Sequence, residues 1–364
     1  MNNAIYITTS QAYSGKSIIT LGLMNILMGK TKKVAYFKPI INEHPSIKVD
    51  NHIAMIKTHF GLVTNDADMF AFTKEEVLKL RADGNTAYII DTIIQKYKKL
   101  EETNDFVIVE GTDFLTEGVS FEFDANVAIA KNLGTPVILV VNGEQLNNEE
   151  IVTTTLSNLK SFNDRDVPVI AVVANKVAAE TALLLKNKLQ NELPKTIISS
   201  VIPVNKDLGN PTMKEIAENI EAKILFGEKR LSNQVDKYIV GAMQLRNLLT
   251  RLENNTLIVT PGDRGDIILA ALQADASKNY PKVAGLILTG GLEPEDSIKQ
   301  LIDGLEGVVP ILQVESGTFE TVTMVAATPS RIYADNKRKI ALALNTFEQF
   351  IDVQQIENQI RSFQ

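Results

Sequence analysis

The chain has 364 residues, of which 45% are hydrophobic and 22% charged, and its formal net charge is -7. At about 150 residues per domain this suggests two globular domains rather than a disordered chain, and the acidic balance argues against a general nucleic-acid or membrane-surface partner. The absence of cysteine removes disulfides, thiolate metal sites and a cysteine nucleophile, and three histidines (His44, His52, His59) are too few for a histidine-rich zinc site.

The opening stretch "MNNAIYITTS" has no basic start, and its apolar run is too short for a secretory signal. No apolar stretch approaches the roughly 20 residues needed to span a bilayer, so a cytoplasmic location is expected. Six apolar runs are predicted strands: "NAIYITT" (3–9), "KVAYFKP" (33–39), "DFVIVEG" (105–111), "PVILVVN" (136–142), "VPVIAVVAN" (167–175) and "TIISSVIP" (196–203). Runs this uniformly apolar belong to a parallel sheet covered on both faces. They alternate with segments of helical period such as "NEEIVTTTLSNLKSF", which predicts right-handed crossovers and a doubly wound α/β sheet. After the candidate helix "TMKEIAENIEAKI" comes a polar stretch, "LFGEKRLSNQVD", which places a domain boundary at 228/229. The strand–helix pattern then restarts with "KYIVGAM", "NTLIVTPGD", "KVAGLILTGG" and "GVVPILQVES", a smaller α/β domain over 229–364. The tail, "NKRKIALALNTFEQFIDVQQIENQI", reads as two helices.

"TTSQAYSGKS" (8–17) lies between the first strand and a helix-like stretch. A strand, a Gly-Lys-Ser turn and a helix can cradle phosphate, because the helix start presents unpaired N–H groups and a partial positive charge. Gly15 lets the backbone approach, Lys16 reaches the phosphates, and Ser17 would ligate Mg²⁺. Ligands bind at the carboxyl ends of strands in open α/β sheets, and other polar residues fall there. They are Lys38 after the second strand, Glu110 after the third, and Asn175 with Lys176 after a later one. Asp50 and Glu110 are candidate Mg²⁺ ligands, and the Asn175 amide could read a nucleobase edge. Each has a plain structural alternative: a solvated strand end for Lys38, a helix N-cap for Asp50, and a cap on a neighbouring element for Glu110.

Taken together, Lys38-Pro39, Val109-Glu110-Gly111 and Asn175-Lys176-Val177 resemble dethiobiotin synthetase and its relatives, which use ATP and Mg²⁺ in a phosphate-loop fold. That family's loop has the form G-T-D-T-x-x-G-K-T. Here Thr9, Ser10, Gln11 and Ala12 stand in place of its first four residues, so only the second half matches. The hydroxyls of Thr9 and Ser10 would substitute in part for what is lost.

In the second domain, "TPGDRGDIILAAL" is followed by "LILTGG". Asp263 could cap the following helix, Arg264 could pair with Asp266 or an anion, and Thr289, Gly290 and Gly291 form a sharp strand-to-helix turn. The bland reading is two turns that position their helices; the other is a ligand site. This combination resembles the DRTGG domain, with Gly265 where that family usually has Ser or Thr. The two domains in this order are similar to the N-terminal region of long-form phosphate acetyltransferases. The resemblance implies a regulatory and assembly region that takes a nucleotide or metabolite effector and self-associates. It also implies that a separate, covalently linked domain carries acetyl transfer, so this chain has no catalytic residues for it. The alternative is a stand-alone ATP- and Mg²⁺-dependent ligase, and a third reading is a purely structural assembly module.

Overall fold

The computed structural model describes residues 3–9, 11–30, 33–42, 50–112 and 119–362. The strands of the first part are β1 (Ala4–Thr9), β2 (Val34–Phe37), β3 (Ile40–Ile41), β4 (Phe72–Thr73), β5 (Phe106–Glu110), β6 (Val137–Asn142), β7 (Val169–Val177) and β8 (Ile198–Pro203). Six of them form one parallel sheet in the order β2-β5-β1-β6-β7-β8, and β3 and β4 pair separately. All six runs expected from apolarity lie in that sheet. Their side chains are buried on both faces, with Ile5, Ile7, Val107, Val109, Leu139 and Val172 all fully buried. Two-sided burial is why the sequence shows continuous apolar runs rather than alternation.

The order reverses at β1. The strands before it in the sheet lie on one side and β6, β7 and β8 on the other, so the crevice at its carboxyl end is a topological switch point. Helix α1 (Lys16–Lys30) leaves β1 through the loop that contains Gly15, and helix α2 (Asn51–Phe60) follows β3.

The second part contains β9 (Lys223–Phe226), β10 (Lys237–Val240), β11 (Thr256–Pro261), β12 (Val283–Thr289) and β13 (Ile311–Gln313). They form a sheet in the order β10-β11-β12-β13-β9, parallel except for β9. The four strands expected there are present. β9 differs from the expectation: the candidate helix "TMKEIAENIEAKI" ends at Asn219, and its last residues turn into an antiparallel edge strand.

The domain division also differs from a cut at 228/229. The chain separates into Met1–Asn205 with Ile332–Gln364, and Lys206–Arg331. Residues 206–228 belong to the second unit because Met213, Ile216 and Ile220 are buried with Leu257, Ala284 and Leu312 of its sheet. The two terminal helices, Lys337–Phe350 and Val353–Ser362, form as expected, but they complete the first unit. The contact that seats them is steric. A side chain at Gly22 of α1 would lie 2.1 Å from the ring of Phe347, which is itself buried. Lys30 of α1 pairs with Glu357 at 2.5 Å in the last helix.

This packing makes a test. Phe347→Ala leaves a ring-sized gap over Gly22 and is expected to cost about 3–5 kcal/mol in denaturant unfolding of the first unit. Gly22→Val is expected to destabilise by overpacking, and the double variant to recover part of that loss. Additive effects of the two substitutions would contradict the contact.

Candidate functional site

The loop from Gln11 to Gly15 reaches α1 through two unusual residues. Gly15 has φ +82°, and a Cβ there would fall 2.2 Å from Asn175 Nδ2. Only glycine satisfies both the left-handed backbone and the close approach. The Asn175 amide donates to the Ser14 carbonyl at 2.8 Å and so anchors the loop to the end of β7. Tyr13 adopts φ 53° without being glycine and leaves its ring 45% exposed at the loop tip. The Thr9 hydroxyl bonds within the loop, donating to the Gln11 carbonyl at 3.2 Å. Ser10 lies outside the described residues.

Lys16 opens α1 and is buried at 2% exposure. Its ammonium donates to the carbonyls of Gly111 (2.6 Å) and Thr112 (3.3 Å), just past the end of β5. Glu110, the last residue of β5, has no solvent exposure. One of its oxygens accepts from Thr20 Oγ1 at 2.6 Å, and the other lies 2.6 Å from His52 Nδ1. Thr20 is one helical turn beyond Lys16, so it shares Lys16's face of α1. Lys38, buried at the end of β2, pairs with Asp50 Oδ2 at 3.0 Å. The other Asp50 oxygen caps α2, accepting from the backbone N–H of His52 and Ile53.

Lys16, Lys38, Asp50, Glu110 and Asn175 thus converge at the carboxyl end of the sheet. His52 and Thr20 join them although the sequence gives them little prominence. Thr20 was findable from its four-residue spacing to Lys16, whereas nothing in the sequence pairs His52 with a residue 58 positions away. Lys176 does not join the group, because its ammonium bonds Glu144 at 2.7 Å. Ser17 is half-buried at the start of α1.

Among the described residues, the buried hydroxyls of Thr8, Ser14 and Thr112 and the amide nitrogen of Asn126 have no hydrogen-bond partner. Orphaned donors of this kind are uncommon in folded interiors and suit a polar guest. Asn126 is held by its oxygen, which accepts from Tyr6 Oη at 2.7 Å and from the Thr112 N–H at 3.1 Å. The metal set of Ser17, Asp50 and Glu110 is a poorer fit, since both carboxylates are already engaged by cations and donors. Among the described residues, no group of three or more His, Cys, Asp or Glu could hold a metal ion.

In the second unit the two flagged turns touch. A Cβ on Gly262 would lie 1.8 Å from the Leu292 carbonyl oxygen, so the Gly-Asp-Arg turn after β11 and the Thr-Gly-Gly turn after β12 need glycine where they meet. Gly290 and Gly291 both have positive φ, as the sharp turn required. The Thr289 hydroxyl is 2.8 Å from that of Thr318. Arg264 forks onto Asp266 (2.8 and 2.9 Å) and also reaches the Met243 carbonyl at 3.2 Å. Asp263 does not cap the helix Gly265–Ala276; Arg264 occupies that position without a side-chain cap, and Asp263 is exposed. The Arg264–Asp266 fork lies within one turn, while the Met243 contact joins that turn to the segment after β10 and Thr289 bonds to the start of the helix Thr318–Ala326.

The Glu110 carboxyl yields a pH prediction. Burial alone would raise its pKa; the charge and hydrogen bond of His52, then the charges of Lys16 and Lys38, override burial and bring it to about 2. A carboxyl depressed in the folded state contributes stability that is present above its ordinary pKa and lost as pH falls through the folded value. Denaturant midpoints of the wild type and Glu110→Gln should therefore differ most above about pH 5 and converge as pH approaches about 2. A gap that widens on acidification would contradict the pairing.

Comparison with known proteins divides the chain a few residues away from the structural boundary at Asn205/Lys206. The AAA domain family matches residues 3–212, and the DRTGG domain family matches residues 215–328. A phosphate acetyltransferase of Nitratidesulfovibrio vulgaris is 39% identical over 99% of this chain and 52% of its own length. One from Synechocystis sp. is 34% identical over 100% of this chain and 52% of its own length. One from Pseudomonas putida is 28% identical over 89% of this chain and 47% of its own length. The chain spans about half the length of the curated relatives it matches. No helix among the described residues is long and apolar enough to cross a membrane. With its family match covering the whole sheet around Lys16 and Glu110, the chain belongs to the AAA domain family and carries a DRTGG domain beside it.

Proposed function

We propose that this chain is the N-terminal regulatory and assembly region of a long-form phosphate acetyltransferase. The parent reaction would interconvert acetyl-CoA and phosphate with acetyl phosphate and CoA, and its acetyl-transfer residues would lie outside this chain. The observation that carries the reading is similarity to phosphate acetyltransferases over 99% and 100% of the chain but only 52% of either relative. The site's geometry supports a binding role within it. Gly15, Lys16, Lys38 and the orphaned hydroxyls of Ser14, Thr8 and Thr112 favour a phosphate-bearing effector, of which a nucleotide such as ATP or ADP is the leading class.

A phosphoryl-transfer ligase is the weaker reading. Such chemistry needs a metal clamp on the phosphates. At Glu110 and Asp50 the groups Thr20, His52 and Lys38 would compete with Mg²⁺ for the carboxylates. A regulatory site needs binding alone, and it tolerates Thr9 and Ser10 where a catalyst's loop keeps the front glycine.

Two measurements test the proposal. Calorimetric titration with ADP should show binding that Lys16→Ala weakens about tenfold to a hundredfold, the value of a charge-assisted hydrogen bond. Equal affinity in the variant would sink the phosphate-loop reading. An acetyl-transfer assay on this chain should show no turnover above background, and acetyl phosphate formation by it would overturn the assignment of catalysis elsewhere.

A further inference from the structure

The sheet of the second unit ends on β10 at one side and on β9 at the other. Both strands are four residues long, yet their outer edges differ. The pairing of β9 with β13 shifts register between Ile311 and Leu312. Irregularities of this kind protect an edge from further pairing. β10 runs in regular parallel register with β11, from Lys237 opposite Thr256 to Val240 opposite Val259. It holds no proline, and its only charged side chain, Lys237, is taken up by Glu253.

The Gly241 N–H bonds the Val259 carbonyl. Backbone groups alternate sides along a strand, so those of Ile239 and Gly241 face β11, and those of Tyr238 and Val240 face outward. Among the described residues, no strand or other backbone group pairs with that outward row. The side chains of Tyr238 and Val240 share one face of the sheet, and each is 39% exposed. Ile239, on the other face, packs against the core that holds Ile258 and Ile267. Met243 and Leu245, just past the strand, are exposed apolar side chains as well.

We infer that the outer edge of β10 is a self-association surface whose partner is β10 of a second copy of this chain. Antiparallel pairing about a two-fold axis at Ile239 sets Tyr238 of one copy opposite Val240 of the other. These are the residues whose N–H and C=O point outward, so each such pair exchanges both of its hydrogen bonds. The same register lays an aromatic ring beside a β-branched side chain on each side of the axis, a favourable cross-strand combination. It sets Lys237 opposite Gly241, so no like charges meet. An extended segment of any chain offers the hydrogen bonds; the match of side chains and charge in one register favours a second copy. A contact of this kind closes on two copies, because the same patch serves both. A ladder this short buries less surface than a permanent interface, which predicts a dimer that dissociates on dilution. The inference names the partner for the assembly role proposed above and rests on that part of the reading, not on the phosphate loop.

The test is sedimentation velocity of the intact chain between about 1 and 100 µM, combined with cysteine cross-linking. The wild type should move from monomer towards dimer across that range. Val240→Pro removes an outward N–H from each copy and leaves the pairing with β11 in place, as proline on an edge strand can. It should weaken dimerisation at least about tenfold with the unfolding midpoint little changed. The chain has no cysteine, so Ile239→Cys carries a single thiol. At the axis the paired Cα atoms lie about 4.5 Å apart, within disulfide reach. The two thiols of Val240→Cys sit diagonally across the ladder, about 7–8 Å apart and out of reach. Mild oxidation should therefore link Ile239→Cys and leave Val240→Cys unlinked. A wild type that stays monomeric throughout would overturn the inference and the assembly role together, leaving the edge to an extended segment of a different protein. A wild-type dimer that a folded Val240→Pro leaves intact, or linking of Val240→Cys in preference to Ile239→Cys, would overturn the inference alone.

Discussion

The Asn175 amide on the Ser14 carbonyl is the contact on which the site depends. It ties the loop after β1 to the end of β7, two strands away in the sheet, and it requires residue 15 to lack a Cβ. With the loop so held, α1 begins at Lys16, and that ammonium reaches the carbonyls beyond β5. Thr20 then falls against Glu110 by helical spacing alone. A single hydrogen bond thus sets the start of α1, and the start of α1 sets which groups meet at the switch point of the sheet.

The charges at that point neutralise one another. Lys38 faces Asp50, and His52, Lys16 and Lys38 together hold Glu110 ionised inside the protein. Buried charges persist only when paired in this way, because an isolated one loses many kcal/mol of hydration. Such a network is easily re-partnered by an incoming anion and poorly suited to hold a divalent cation. The proposed regulatory role asks only for binding at this network, whereas phosphoryl transfer would ask it to hold a metal as well. The same contrast gives meaning to the worn front half of the loop, since binding without chemistry makes weaker demands on phosphate geometry than transfer does.

Much of this was legible in the sequence. Uniformly apolar strands announce a sheet buried on both faces, and all six of them pair in parallel. Parallel strands put their carboxyl ends together, so Gly15-Lys16, Lys38, Glu110 and Asn175 could be gathered from strand ends alone. What stayed hidden has physical reasons. The pairing of His52 with Glu110 joins residues 58 positions apart and leaves no periodic trace. Nor does anything in the sequence show that one N–H of the Asn175 amide holds the Ser14 carbonyl of the loop. β9 is four residues long at a sheet edge and continues a helical pattern, so its local sequence reads as helix. The terminal helices follow the second unit in sequence but belong to the first, which a linear reading cannot detect; the mark they leave, Gly22 beneath Phe347, is visible only in three dimensions.

The most direct test of the central claim is a crystal structure of the chain grown with ADP. The account predicts diphosphate over the loop between Tyr13 and Ser17, with Lys16 Nζ moved from the Gly111 and Thr112 carbonyls to a phosphate oxygen and Asn175 still on Ser14. Nucleotide bound elsewhere, or phosphate in the loop with Lys16 still on those carbonyls, would contradict it.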